Sequence, residues 1–572
     1  THQYDKRGRL ALTTFADGTT REVRHDARNN PVLARFSDGT ELQYSHDTLN
    51  RLVAANDLAL SYDAEGRITN SVGSGVSFGA TYDAGGRLSS VTYDEGLFEV
   101  VYDYDRRDRL VRVSDSWSGS SMAFTYDEAG RMTGVERSNG VHGVYTHDPV
   151  GRLTRIQEGD FLDLQYTLDA AGQVTRIEVR APLDPAAGLT PGSVSFQHDA
   201  AHQIISPGHA HDPRGRMTRS PGHTYGYDGA SRMIRVDDVN LEYNGLNDVV
   251  SRSEGGSTVR FFHNYALGLG PMVAEKREVR GPALRYYVWS PGGRLLYLID
   301  AATRTARFPH FDRVGSTMAL TDHAGAVTDA YAYSPYGALL RRLGDHPQPF
   351  TFVGRYGVRR EGAALHQMRA RYYSPASGRF LTRDPLPPRL GDIHSLNPYH
   401  YASADPLRSV DPEGLDRTVW FFGHAWIEVD VYDAQGRVTG RVALNFAPES
   451  GKSDYQVMHP RHIIYPQLLG YDIQSSQLDD ELLVREWRRL QQDESRGQQW
   501  NPLKNCVWRS LEYAHGEIPM TQEEARKILA SVPVQTGRSI TAAPPGPWYR
   551  RAYDWVDDSW GDFEHWLEET LP

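Results

Sequence analysis

The stretch Tyr62-Asp63-Ala64-Glu65-Gly66-Arg67-Ile68 decides the fold. An aromatic residue closes one apolar-alternating segment, Asp-x-x-Gly makes a turn, and Arg-Ile opens the next segment. The aspartate can close the turn through its side chain, and the glycine supplies the positive φ that the turn needs. The pattern Tyr/His-Asp-x-x-Gly-Arg-Leu/Met/Ile begins at Tyr4-Asp5 and recurs at Tyr82, Tyr126, His147 and His211, with worn copies at Leu168, His198 and Tyr227. Clear neighbours lie 20 or 21 residues apart. Between motifs, alternation such as Phe98-Glu99-Val100-Val101-Tyr102 suits strands with one buried face. An isolated hairpin is marginal in water, so successive hairpins must stack into a continuous sheet. A β-propeller or short β-solenoid is the competing architecture, but propellers repeat over roughly 40 to 50 residues. The expectation for residues 1–310 is a mainly β chain, a spiralling antiparallel sheet. Its Asp and Arg residues are expected to do turn and surface chemistry only.

After residue 310 the spacing changes. Phe311-Asp312-Arg313-Val314-Gly315-Ser316, Tyr333-Ser334-Pro335-Tyr336-Gly337, Phe352-Val353-Gly354, Arg371-Tyr372-Tyr373-Ser374-Pro375 and Gly378-Arg379-Phe380 follow in order. Two Asp-Pro pairs close the segment, Asp384-Pro385 and Asp411-Pro412, the second inside Asp411-Pro412-Glu413-Gly414-Leu415. Read by residue type alone, these are short strands punctuated by Pro and Gly, and Asp-Pro is an ordinary turn former.

These landmarks, with the repeats before them, resemble the Rhs/YD-repeat polymorphic toxins. In that family the repeats form a hollow shell, residues 311–415 would be a core or plug, and an aspartic self-cleavage frees a C-terminal effector. The family signature is DPxG, a spacer, then DPxGL, with the cut after the leucine. Asp411 to Leu415 match the second half in full, with Pro406 five residues ahead of Asp411. The first half departs from it, because Asp384-Pro385-Leu386-Pro387 has proline where glycine is expected and the next glycine is Gly391. The resemblance therefore implies Asp384 and Asp411 as a catalytic pair, Asp392 as the reserve, and Leu415 as the scissile residue. Two close carboxylates cannot both ionise freely, so one can serve as base and the other as acid. Arg383, next to Asp384, is expected to bias that choice. The family also implies secretion after synthesis in a bacterial cytoplasm, a delivery machine such as type VI secretion with its adaptors, and a cognate immunity protein.

Composition limits what the remaining residues can be. The 572-residue chain carries Gly 53, Pro 32 and Tyr 32, a hydrophobic share of 39% and a net charge of −11. Residues 416–572 hold 16 basic and 24 acidic side chains, a net of −8, which argues against a nucleic-acid target. One cysteine excludes an intramolecular disulfide. No apolar run reaches the roughly 20 residues of a membrane span. Thr1 opens directly on a repeat, so the chain reads as the end of a longer protein. No glycine-rich phosphate loop and no nucleotide motif is present, so no cofactor is expected.

Residues 416–572 read as one small α+β domain. A strand is expected over Val419–Val431 with His424 near its start, a turn over Asp433–Arg437, and a returning strand Arg441–Ala447 that holds Asn445. Helices are expected over 478–493, over 501–514 with Cys506 in the first turn, and from Thr521. A helix N-terminus lowers a thiol's pKa, an imidazole can take its proton, and a third polar group can hold that imidazole's tautomer. The order His424, Asn445, Cys506, with Gly-His on a strand and Asn-Cys at a helix start, resembles permuted papain-like hydrolases of the NlpC and lecithin retinol acyltransferase type. In those the middle member is often a second histidine, which is where Asn445 departs. The resemblance implies a cysteine hydrolase or transferase acting on a target-cell protein, peptide or acyl bond. His459 and His462 lack the further ligands of a metal site. The rival readings are an effector of another class, an ADP-ribosyltransferase or a pore former, and a structural YD-repeat surface protein.

Overall fold

The computed structural model describes residues 1–183, 194–386 and 396–415, together with the backbone of residues 419–420, 425–432 and 438–446. Cys506, His424, His459, His462, Asp392 and the three expected helices lie outside the described residues. Among the described residues the structure is antiparallel β-sheet with a few 3-10 turns and no α-helix. Strands pair with their sequence neighbours throughout, in an 18-stranded sheet from His2–Tyr4 to Val174–Arg180 and a 14-stranded sheet from Ala210–His211 to Leu339–Leu343.

Each motif builds the expected hairpin and also contacts the next one. In the Tyr62 unit, the strands Leu58–Tyr62 and Ile68–Gly73 flank the turn, and Gly66 has φ +84°. The Asp63 N–H donates to the Arg67 carbonyl at 3.0 Å. Asp63 Oδ1 accepts from the Arg67 backbone N–H at 2.8 Å, and Oδ2 accepts from Arg67 Nε at 2.6 Å. The clamped guanidinium then lies 4.5 Å over the ring of Tyr82 in the next unit, whose hydroxyl donates to the Ile68 carbonyl at 2.7 Å. The same arrangement recurs with Arg51 over Tyr62, Arg87 over Tyr104, Arg109 over Tyr126, Arg216 over Tyr227 and Arg232 over Tyr243. This corrects the expectation of mere turn and surface chemistry: the Arg67–Asp63 pair is only 23% and 19% exposed and fastens one hairpin to the next.

Some units lack the motif's glycine and still make the turn. In His25-Asp26, His46-Asp47 and Tyr104-Asp105, the left-handed position is taken by Asn29, Asn50 and Asp108 at φ 72°, 61° and 61°. Asn and Asp tolerate this conformation better than other side chains, which is why a search for glycine passes over them.

Burial differs between the two sheets. Phe98–Tyr104 buries Phe98, Val100 and Tyr102 and exposes the residues between, as the alternation predicts. Leu295–Ile299 in the second sheet is buried without a break, which means both its faces are covered. The shared core joins Phe78, Tyr93 and Val100 to Tyr286, Trp289 and Phe308. Tyr93 and Tyr102 donate across it to the carbonyls of Tyr287 and Trp289, each at 2.8 Å.

The chain divides into two compact units, and the second begins at Gly423. Its described part is a hairpin of Ala425–Tyr432 with Val438–Phe446, in which Trp426 faces Asn445. The strand expected over Val419–Val431 is two pieces: Val419–Trp420 belongs to the first unit and pairs with Ser409–Val410.

Acid should dissolve the clamps. Burial opposes the charged form of Asp63, but the Arg67 N–H and guanidinium outweigh it and leave the carboxyl below its ordinary value; Asp47, Asp83, Asp105, Asp127 and Asp148 behave alike. In Asp5 the Arg9 side chain dominates and lowers the carboxyl to about 2. A depressed folded value means that the unfolded chain binds more protons, so stability is present above the unfolded value of about 3.9 and is lost as pH falls below it. Circular dichroism should therefore show cooperative unfolding between about pH 4 and pH 2. Retention of the full β signal at the acid end would contradict the clamp.

Candidate active site in the closing segment

A four-stranded sheet, Arg359–Arg360, His366–Met368, Arg371–Ser374 and Arg379–Phe380, carries the site. Arg371 opens the third strand and its side chain is 1% exposed. A guanidinium buried this deeply needs acceptors around its whole fork. Nη2 lies 2.8 Å from Asp384 Oδ2 and 3.2 Å from Asp411 Oδ2. Nη1 donates to the Pro398 carbonyl at 3.1 Å, and Nε donates to the Gly414 carbonyl. The plane of the guanidinium rests 3.7 Å from the ring centre of Phe380.

Local geometry fixes both carboxylates. The Asp384 N–H donates to the same Pro398 carbonyl at 2.7 Å. Its Oδ1 accepts from the Leu386 N–H at 2.7 Å. This is an Asx turn over the first Asp-Pro. Asp411 Oδ1 accepts the Leu415 N–H at 3.0 Å, so this carboxylate touches the last residue of DPxGL directly. The side chains of Asp384 and Asp411 are 3% and 2% exposed. Gly414 has φ +65°, and a Cβ there would sit 2.4 Å from the Met368 carbonyl oxygen. Only glycine allows the turn to press against the Arg371 strand, where Ala370 N–H donates to Glu413 O at 3.1 Å. Downstream, the Val410–Val419 and Ser409–Trp420 pairs bracket the turn.

The structure thus brings Asp384, Asp411 and Leu415 together. Arg383 is exposed and turns toward Gly215, and the cation against Asp384 is that of Arg371. In the sequence Arg371-Tyr372-Tyr373 stands as a landmark of the segment, with no role implied for its arginine. The available signal was an arginine at the head of an apolar strand, which requires buried acids nearby. Tyr401, pushed up first by burial and then by the charge of Tyr373 and Asp411, packs beside the site. Of the second expected site only the backbone of Asn445 is described, opposite Trp426.

A family model, Teneurin YD-shell, matches residues 1–116 and 115–407. The chain belongs to the Teneurin YD-shell family. Its all-antiparallel sheet is the YD-repeat β-shell fold. The crystal structure of TcdB2-TccC3 without its hypervariable C-terminal region aligns over 73% of this chain and 27% of that one, with a TM-score of 0.55 and 16% identity. Double-stranded DNA deaminase toxin A of Burkholderia cenocepacia is 28% identical over 342 residues, 55% of this chain and 22% of that protein. Toxin protein Tse5 of Pseudomonas aeruginosa is 33% identical over 108 residues, 19% of this chain and 8% of that protein. The tRNA3(Ser)-specific nuclease WapA of Bacillus spizizenii is 24% identical over 227 residues, 38% of this chain and 9% of that protein. The chain spans about a fifth or less of the length of these curated relatives.

Replacing Arg371 by Met should leave two buried carboxylates without their cation. Breaking a buried pair in this way costs about 3–5 kcal/mol. The variant should unfold at lower urea than the parent. Equal midpoints for parent and variant would show that Arg371 does not hold the site.

Proposed function

We propose that this YD-shell chain is part of an Rhs-type toxin that cuts itself between Leu415 and Asp416 and so frees residues 416–572 as an effector. The observation that carries the reading is the convergence of Asp384 and Asp411 on Arg371, with Asp411 hydrogen-bonded to the Leu415 N–H. One carboxylate, as base, takes a proton from water while the water oxygen bonds to the Leu415 carbonyl carbon. The other, as acid, gives a proton to the Asp416 nitrogen as the C–N bond breaks. Arg371 sets the distance between the carboxylates and offsets the charge they would otherwise bury. The family match ends at residue 407, upstream of the effector, so the sequence alone supports its activity: a Cys506–His424 hydrolase or acyl or peptide transferase oriented by Asn445. The relatives' names include toxins with a deaminase and a tRNA nuclease activity, which supports an enzymatic effector in general. A cognate immunity protein and delivery into target cells belong to the same proposal.

Intact-mass analysis of the purified protein should give two fragments meeting at Leu415–Asp416, and Asp411→Asn should give one folded full-length chain. Normal cutting in that variant would remove Asp411 from the mechanism. The Val410–Val419 and Ser409–Trp420 pairs cross the cut, so the two fragments should co-elute until denatured.

The effector is tested separately. Cys506→Ala should abolish toxicity, since the chain contains no other thiol. His424→Ala should come close to it, because an unactivated thiol is only a few per cent thiolate near neutrality, and Asn445→Ala should cost less. Undiminished killing of target cells by folded Cys506→Ala protein would replace the thiol reading with an effector of another class.

A further inference from the structure

A cleft of about 400 Å³ opens between the two large sheets. One wall comes from connections of the first sheet, the 3-10 turn Asp94–Gly96 with Leu97 and, further on, Trp117. The other is the loop of the second sheet between Met272–Lys276 and Ala283–Trp289. The floor is charged. Lys276 has a side chain only 4% exposed, and its Nζ lies 2.5 Å from Asp94 Oδ1. Asp94 Oδ2 accepts from the Tyr286 hydroxyl, so both oxygens of this carboxylate are engaged within the protein. The ammonium is engaged less fully. It has three N–H donors, and among the described residues one acceptor, Asp94, lies in hydrogen-bond reach. Its other described neighbour is the ring of Phe262, 5.6 Å from Nζ to the ring centre. A buried ammonium with donors to spare favours a ligand that brings an acceptor oxygen.

Above the floor the lining is apolar, with Leu97, Trp117, Val279, Pro282 and Ala283. Leu97 is 51% exposed. Trp117 is fixed by stacking on Phe98 and by an edge contact with Tyr286, at 5.3 and 5.2 Å between ring centres. The Arg304 guanidinium lies 5.3 Å from the centre of the Trp117 ring, and Arg280 stands at the mouth. Lys276, Arg280 and Arg304 thus face Asp94 and Glu95, a local positive excess in a chain of net charge −11. The turn that carries both acids is strained. Asp94 and Glu95 hold φ +50° and +60°, left-handed values that a glutamate rarely adopts. Strain of this kind collects at ligand clamps.

We propose that the cleft binds a small organic anion, a carboxylate borne on an apolar or aromatic body. The carboxylate sits on Lys276, and the body packs against Leu97, Trp117 and Val279. A neutral apolar ligand would leave the spare Lys276 donors buried, and a cationic one would meet three like charges. The volume is near the lower end for small-molecule pockets, so it suits a free acid or the last residue of a peptide.

Isothermal titration of the full chain tests the site. Phenylacetate and hexanoate should each bind at one site per chain. Acetate, which lacks the body, should bind about 100-fold more weakly. Benzyl alcohol, which lacks the charge, should lose about 10- to 100-fold. A tetrapeptide ending in free phenylalanine separates the sources: a site for chain ends binds it as well as phenylacetate, and a site for free acids binds phenylacetate alone. Lys276→Met should weaken phenylacetate about 10- to 100-fold. That change also strips Asp94 of its partner, so Leu97→Trp, at an exposed position, gives a second test. Its indole crowds the mouth and should weaken binding about tenfold. Failure of both phenylacetate and hexanoate to bind would overturn the proposal, as would equal binding of benzyl alcohol and phenylacetate. Parent-like phenylacetate binding by folded Lys276→Met or Leu97→Trp protein would overturn it too.

Discussion

The architecture rests on a carboxylate holding an arginine in place so that the arginine can hold something else. In the repeats, Asp63 fixes Arg67 and Arg67 covers Tyr82, whose hydroxyl closes back on the Ile68 carbonyl. Each such contact is worth about 0.5–1 kcal/mol, so no single one is decisive. Repetition makes the sheet: every hairpin is registered against its neighbour by the residues that form its own turn. The clamp supplies registration locally, and the shared core supplies it at long range, through contacts such as Tyr93 to the Tyr287 carbonyl.

The closing segment uses the same chemistry with the roles exchanged. There the arginine is the fixed centre and the carboxylates are gathered on it. Phe380 below the guanidinium, the Pro398 carbonyl beside it and the Gly414 carbonyl at Nε leave Arg371 a single position, and Asp384 and Asp411 converge on one nitrogen. In the repeats the ion pairs are partly exposed and purely structural. At the closing turn the same pairing is buried, with the side chains of Asp384 and Asp411 only 3% and 2% exposed.

Much of this was legible in the sequence, for identifiable reasons. The Tyr-Asp-x-x-Gly-Arg unit encodes its turn in residue types that few other structures demand, so strand ends at Tyr62 and Ile68 follow directly. Units whose left-handed residue is Asn or Asp were invisible to a glycine search, although their backbones are the same. Asp384 and Asp411 could be named from the resemblance of their Asp-Pro motifs to the Rhs signature, but their meeting point could not. Arg371 is remote from both along the chain, and only the pairing of strands brings the three together. Arg383 was favoured because it is adjacent in sequence, yet neighbours along an extended chain point to opposite sides. The segment Val419–Val431 reads as one apolar strand, but its first residues pair with Ser409–Val410 and its later ones with Val438–Phe446, a division made by partners and not by composition.

The central claim is that water, activated by the carboxylates on Arg371, opens the bond after Leu415. Synthesis and self-cutting of the protein in heavy-oxygen water, followed by mass spectrometry of the fragment ends, tests this most directly. Hydrolysis at the site predicts one heavy oxygen in the new carboxylate of Leu415 and an unmodified amino terminus at Asp416. A fragment that ends elsewhere, or one whose Leu415 carboxylate contains only ordinary oxygen, would contradict it.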